Sequence, residues 1–174
     1  MTLNMTLNDI ARLDFTELGV LYQNGTVPAD LHVLGEKPDG RQLAMRGRDH
    51  GISAKIVRYF ADPRRAVWIG KRLSVIDNGL SGKGSNRMRF GRDVFPYKVR
   101  IDASILDGHD AIVFDYNHAG NNAIGRRLYN EIRQVAPGIF VGAITWKTRR
   151  NTRTHLGWFG LTADLGSLHS IDTD

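Results

Sequence analysis

Apolar and polar residues alternate most cleanly over 97–103. Tyr97, Val99, Ile101 and Ala103 share one face there, and Lys98, Arg100 and Asp102 the other. One wet face and one buried face mark an antiparallel strand, because fully parallel sheets bury both. Residues 111–116 read as the next strand, joined to the first as a hairpin across Asp107-Gly108. Residues 139–146 and 154–162 read as a second hairpin with 147–153 as its charged tip. Residues 66–76 are β-branched and aromatic and form a further strand. Asp77-Asn78-Gly79 then opens a glycine-rich loop through Gly84, after which Asn86, Met88 and Phe90 alternate with Arg87 and Arg89. Nearer the start, 31–34 and 42–46 read as strands on either side of the turn Lys37-Pro38-Asp39-Gly40.

Helical spacing appears in three places. In 14–24, Asp14 and Glu17 form a capping box, Leu18, Leu21 and Tyr22 make a stripe, and Asn24-Gly25 supplies the stop. In 52–60, Ile52, Ile56, Tyr59 and Phe60 favour a short amphipathic helix, with a strand as the alternative. In 122–135, Ile124, Leu128, Ile132 and Val135 form an apolar stripe that Pro137-Gly138 ends. The pattern predicts a single domain over 1–174, with 1–13 loosely ordered and a core at 66–162. Its fold class is mainly β with helices (α+β). About six to eight strands form an antiparallel sheet that closes, or nearly closes, into a barrel. The 122–135 helix packs against it, and a helical segment lies at the N-terminus. A barrel of about eight strands has room for side chains or one small ligand.

Composition narrows the class. The 174 residues carry 24 Lys and Arg against 18 Asp and Glu, a net charge of +6, and 41% hydrophobic residues. That is a folded chain rather than a disordered one. The absence of cysteine excludes disulfides, thiolate metal sites and a cysteine nucleophile. No apolar run approaches the roughly 20 residues of a membrane helix, and the start lacks the pattern of a secretory signal, so the expected location is cytoplasmic. Residues 1–4 recur as 5–8, read as an alternative start without functional meaning.

Three stretches are candidates for chemistry. Asp115-Tyr116-Asn117-His118 ends a strand with a carboxylate and an imidazole three positions apart. Asp115 with His118 or Tyr116 is a candidate acid–base set, and a loop-holding role is the alternative. Gly70 inside a strand marks a bulge or a close approach, and neighbouring Trp68 either walls a cavity or fills the core. Residues 79–85 lack the spacing of a phosphate loop. The run 147–153, flanked by Trp146 and Trp158, is either a nucleic-acid or protein contact or a solvated hairpin tip. No metal-spaced histidine pair is present, and no cofactor motif.

The ordered series Trp68-x-Gly70-Lys71, Asn86-Arg87-x-x-Phe90, Asp107-Gly108, Asp115-Tyr116 and Glu131-Ile132-Arg133-x-Val135-x-Pro137-Gly138 resembles a lipocalin-like (calycin-like) group of small bacterial β-barrel proteins, mostly of uncharacterised function, over 66–162. The resemblance implies a lipocalin-like barrel with an interior cavity for an apolar small molecule, and brings no catalytic residues with it. The expected ligand contacts are Trp68, Lys71, Asn86, Met88, Phe90, Tyr97 and Phe114, with basic residues drawing in an anionic group. The leading expectation is a cavity binder of an apolar or anionic amphipathic small molecule, without cofactor or metal. An isomerase or cyclase acting on a lipid- or polyketide-like substrate is the first alternative, with Asp115, His118 and Tyr116 moving protons. An interaction module using 147–153 is the second. Nucleic acid is the less favoured partner, and a homodimer is compatible with the sequence.

Overall fold

The computed structural model describes residues 5–46, 67–148, 150 and 152–164. Eight antiparallel strands close into one barrel in up-and-down order. They are β1 (Asp39–Met45), β2 (Trp68–Ile76), β3 (Ser81–Met88), β4 (Asp93–Ala103), β5 (Asp110–Asp115), β6 (Leu128–Ala136), β7 (Ile139–Lys147) and β8 (Arg153–Thr162). β8 pairs with β1 from Asp39↔Thr162 to Met45↔Gly157, which removes both sheet edges. This is the eight-stranded up-and-down arrangement of lipocalins.

Three local expectations are corrected. Residues 122–135 are not a helix: a single 3-10 turn, Gly125–Arg127, leads into β6. The apolar residues Ile124, Leu128 and Ile132 are spaced by four, which suits a helical stripe and also a period of two. The strand reading wins because β5 and β7 flank the segment, pairing Ile132 with Ile112 and with Gly142. Leu31–Leu34 is a 3-10 turn capped by Asp30, not a strand. It drops Leu31 and Leu34, both fully buried, into the barrel as a plug. The expected glycine-rich loop is in fact the start of β3. Gly84 belongs there because a Cβ would lie 2.7 Å from the Tyr97 hydroxyl, which crosses this point to donate to the Arg72 carbonyl at 3.0 Å. The expected helix at 52–60 and the tail beyond 164 lie outside the described residues.

The barrel wall is apolar on both faces along part of its circumference. Inside, Leu31, Leu34, Ile112, Ile132, Phe140 and Leu161 pack one end solid. Outside, two helices, α1 (Leu7–Ile10) and α2 (Phe15–Gln23), cover β6, β7 and β8. Ile10, Leu18 and Tyr22 meet Val141, Ala143 and Trp158 there. α2 starts with the predicted box: Asp14 accepts from the Glu17 amide and Glu17 accepts from the Asp14 amide, each at 2.8 Å. The segment expected to be loose carries, from residue 5, a second capping box, Thr6 with Asp9, and a fully buried Ile10.

Polar side chains buried under α2 are satisfied. Glu131 accepts from the Tyr22 hydroxyl at 2.9 Å, the Ser104 hydroxyl at 2.6 Å and the Ile105 amide at 2.9 Å. Arg133, which is 2% exposed, grips both Asp107 carboxylate oxygens at 2.7 Å and lies 4.5 Å over the Tyr22 ring. Charge-assisted, two-pronged contacts of this kind set geometry as well as contributing energy. They tie α2 and the β4–β5 turn to β6. The hydrogen bonds from Arg133 hold the Asp107 pKa below the usual carboxylate value. Asp107 therefore stays ionised to lower pH in the folded protein than in the unfolded chain. Its stabilisation is complete above about pH 4 and is lost as pH falls through the lowered folded-state value. Chemical denaturation from pH 6 down to pH 2 is expected to show an acid loss of stability that is visibly shallower in Asp107→Asn; equal slopes in the two proteins would contradict this account.

Candidate functional site

The site begins with a break in strand parity. Trp68 and Lys71 are three residues apart, and in a regular strand they would point to opposite faces. The register of β2 against β3 shifts between Trp68 and Gly70. Such a bulge adds one residue and re-aims the side chains beyond it, so Trp68, Lys71 and Leu73 all face inward. Gly70 makes the bulge feasible. Its φ is +148°, and a Cβ there would sit 2.3 Å from the Pro38 carbonyl oxygen.

Lys71 is consequently buried, 1% exposed, in the barrel interior. Its Nζ donates to the Tyr116 hydroxyl at 2.7 Å and to Asn86 Oδ1 at 3.1 Å. Tyr116 in turn donates to Asn86 Oδ1 at 3.1 Å and accepts from Asn130 Nδ2 at 3.4 Å. Ring faces surround the amine, with centroids at 4.3 Å for Phe114, 4.8 Å for Tyr97, 5.3 Å for Tyr116, 5.5 Å for Phe159 and 5.9 Å for Trp68. No carboxylate among the described residues pairs with it. Burial lowers the Lys71 pKa to about 7, and burial also raises that of Tyr116. The rings give the ammonium what compensation it has, through their negative faces.

Above this cluster, at the end opposite the Leu31–Leu34 plug, the barrel holds a cavity of about 200 Å³. Gln42, Trp68, Asn86, Tyr116, Leu128, Asn130, Ile144 and Phe159 line it. Two buried polar atoms of the lining, Trp68 Nε1 and Asn130 Oδ1, have no partner. An orphan donor and an orphan acceptor are each costly when buried.

The structure brings Trp68, Lys71, Asn86, Tyr97, Phe114 and Tyr116 of the expected residues into this one cluster. Others it places elsewhere. Phe90 is 80% exposed at the β3–β4 turn, and Met88 is half-buried outside the cavity lining. Asp115 turns to the opposite face from Tyr116, where Arg100 approaches at 3.5 Å and the Asn117 amide donates at 2.9 Å. His118 Nδ1 accepts from the Gly120 amide at 3.0 Å in the loop beyond β5. Tyr116 alone of the expected acid–base set reaches the cavity. In the second hairpin, Trp158 is buried beneath α2 and donates to the Phe15 carbonyl at 2.9 Å, so it offers no stacking face beside the 147–153 run. Arg153 lies over the Tyr129 ring at 4.3 Å.

Sequence reasoning missed Asn130, Leu128, Ile144 and Phe159. Reading 128–132 with period two puts Leu128, Asn130 and Ile132 on one face, and that alternation was the available signal. Among the described residues, no group of three or more His, Cys, Asp or Glu side chains converges to hold a metal. No helix among them is long and apolar enough to cross a membrane. No protein-family model matches the chain, and no curated protein or solved structure matches it.

Lys71 lowers stability where it stands. Between about pH 7, its folded-state value, and about 10.4, its unfolded value, the unfolded chain holds one more proton, so stability rises with pH across that window. Lys71→Met is expected to be more stable than the parent by on the order of a few kcal/mol at pH 7, with the gap shrinking towards pH 10. Urea titrations at both pH values read this directly, and a destabilised Met variant with an unchanged pH slope would refute it. Gly70→Ala is expected to be destabilised by roughly 1–3 kcal/mol and to perturb Trp68 fluorescence; a neutral effect on both would show that the bulge does not set the inward pair.

Proposed function

We propose that the protein binds a small amphipathic molecule in the barrel cavity, through a flat apolar body and one polar group. The unpartnered Trp68 Nε1 and Asn130 Oδ1 carry this reading. A ligand oxygen, such as that of a hydroxyl or a protonated acid, can accept from the indole or donate to the amide and so answer one of these orphan groups. Leu128, Ile144 and Phe159 supply the apolar walls. Lys71 sits behind Asn86 and Tyr116 and favours electron-rich oxygen over a purely hydrocarbon ligand.

Size sets the class further. At about 200 Å³ the cavity falls below the roughly 300–1,000 Å³ of sites for drug-sized ligands. It suits a single ring with a short substituent, whereas a long acyl chain or a polyketide does not fit. The resemblance to lipocalin-like barrels is in keeping with the same reading: Trp68, Asn86 and Tyr116 of the motif series line one cavity, and Lys71 stands behind them. An isomerase or cyclase lacks support here, since Asp115 and His118 stand apart from it.

Calorimetric titration with phenol and with benzyl alcohol tests the proposal, alongside native mass spectrometry of the purified protein. Ile144→Trp places a large ring in the cavity and is expected to weaken binding at least tenfold while leaving the unfolding temperature close to that of the parent. Undiminished binding by this variant would locate the site elsewhere.

A further inference from the structure

We propose that Lys71 is a carbonyl-capturing amine: an aldehyde or unhindered ketone that enters the cavity condenses with Nζ to form a Schiff base. The proposal rests on the cavity-binding reading and names the ligand class for which the amine is placed. Three observations support it. The amine is held by Asn86 and Tyr116, and both are part of the cavity wall. Its stem is long and flexible, so exchanging one hydrogen bond for a ligand carbon needs no backbone movement. Finally, the hydrogen-bond inventory favours the uncharged form, since the two N–H groups of a neutral amine match the Tyr116 and Asn86 oxygens and leave a lone pair free.

Burial brings the pKa of the group to about 7, so a large share is unprotonated and nucleophilic at neutral pH. Lysines exposed to water remain almost fully charged there. The chemistry balances without a co-reactant. The Nζ lone pair attacks the carbonyl carbon, forming C–N while the C=O π pair moves to oxygen. That oxygen takes a proton from the Tyr116 hydroxyl, which lies 2.7 Å from Nζ, and Tyr116 recovers one from the nitrogen. Loss of the hydroxyl and the remaining N–H proton as water leaves C=N. The ring faces around Nζ then stabilise the protonated imine, as they would the ammonium. Lys71 is itself 1% exposed, which limits the access of water to the imine and slows hydrolysis back to the amine.

Reductive trapping tests the idea. The intact protein is incubated at pH 7 with benzaldehyde and cyanoborohydride, and adducts are located by peptide mapping. Benzyl alcohol, the same ring without a carbonyl, is titrated in parallel. The expected result is a benzyl adduct forming on Lys71 at least tenfold faster than on Lys37, Lys55, Lys83, Lys98 or Lys147, suppressed by excess benzyl alcohol. Tyr116→Phe is expected to trap at least tenfold more slowly when rates are compared at saturating benzaldehyde, so that a change in affinity does not enter; an unchanged saturated rate would remove Tyr116 as the proton donor. Alcohol binding with no preference for Lys71 would overturn the capture proposal while leaving the cavity reading intact. Neither alcohol binding nor a Lys71 adduct would overturn both.

Discussion

A primary amine in the middle of a β-barrel needs a reason to be there. Moving an ammonium out of water is among the most expensive steps in folding, and the usual remedy is a carboxylate partner. Lys71 has two neutral oxygens and a set of ring faces in its place. Several features of the barrel's open half follow from accommodating it. The bulge at Gly70 turns the side chain inward, Gly84 clears space for Tyr97, and Tyr97, Phe114 and Phe159 close around the stem. Tyr116 accepts a hydrogen bond from the amine and donates one to Asn86 Oδ1.

The opposite side of the wall shows what a structural charge looks like in the same protein. Glu131 and Arg133 are as buried as Lys71, yet each is saturated. Glu131 accepts three hydrogen bonds, and Arg133 forks onto Asp107 and stacks on Tyr22. Such groups fix the position of a helix and a turn. Lys71 meets only two neutral oxygens, those of Asn86 and Tyr116, and both of these residues line the cavity. Perturbed, incompletely paired groups beside cavities are characteristic of functional sites, and here the contrast is internal to one fold.

Much of this was legible in the sequence, and what was lost had physical causes. β4, β5, β7 and β8 announce themselves because their residues alternate cleanly or are strongly β-forming. Trp68, Lys71 and Tyr116 stood out because a glycine in a strand and a polar cluster at a strand end are both unusual. β6 was misread because leucine and isoleucine spaced by four satisfy two periods at once. The outward residues of β6 also look solvated, but Glu131 and Arg133 are buried under α2, where Arg133 pairs with Asp107 and Glu131 accepts from Tyr22 and Ser104. β3 was hidden by its glycines, which weaken the strand signal just where Tyr97 needs room. Parity separates Asp115 from Tyr116, and His118 lies in the loop beyond β5. Adjacent strand residues face opposite ways, so choosing Tyr116 for the interior puts Asp115 outside it.

Parity and packing together leave the barrel half filled. The Leu31–Leu34 plug and the residues beneath it pack solidly, so a ligand has depth only from Lys71 to the open rim. Among the described residues β1 and β2 share one bridged pair, Asp39↔Gly70, and the seam continues through the Lys71 and Leu73 amides, which donate to the Pro38 and Glu36 carbonyls at 3.0 and 2.8 Å. Trp68 stands at that seam, lining the interior cavity on one side and, on the other, an outer groove with Asp39, Arg41 and Ile69. The backbone bonds that hold Lys71 and Leu73 to the segment before β1 follow the Gly70 bulge, so the bulge aims the amine inward while the seam stays tied.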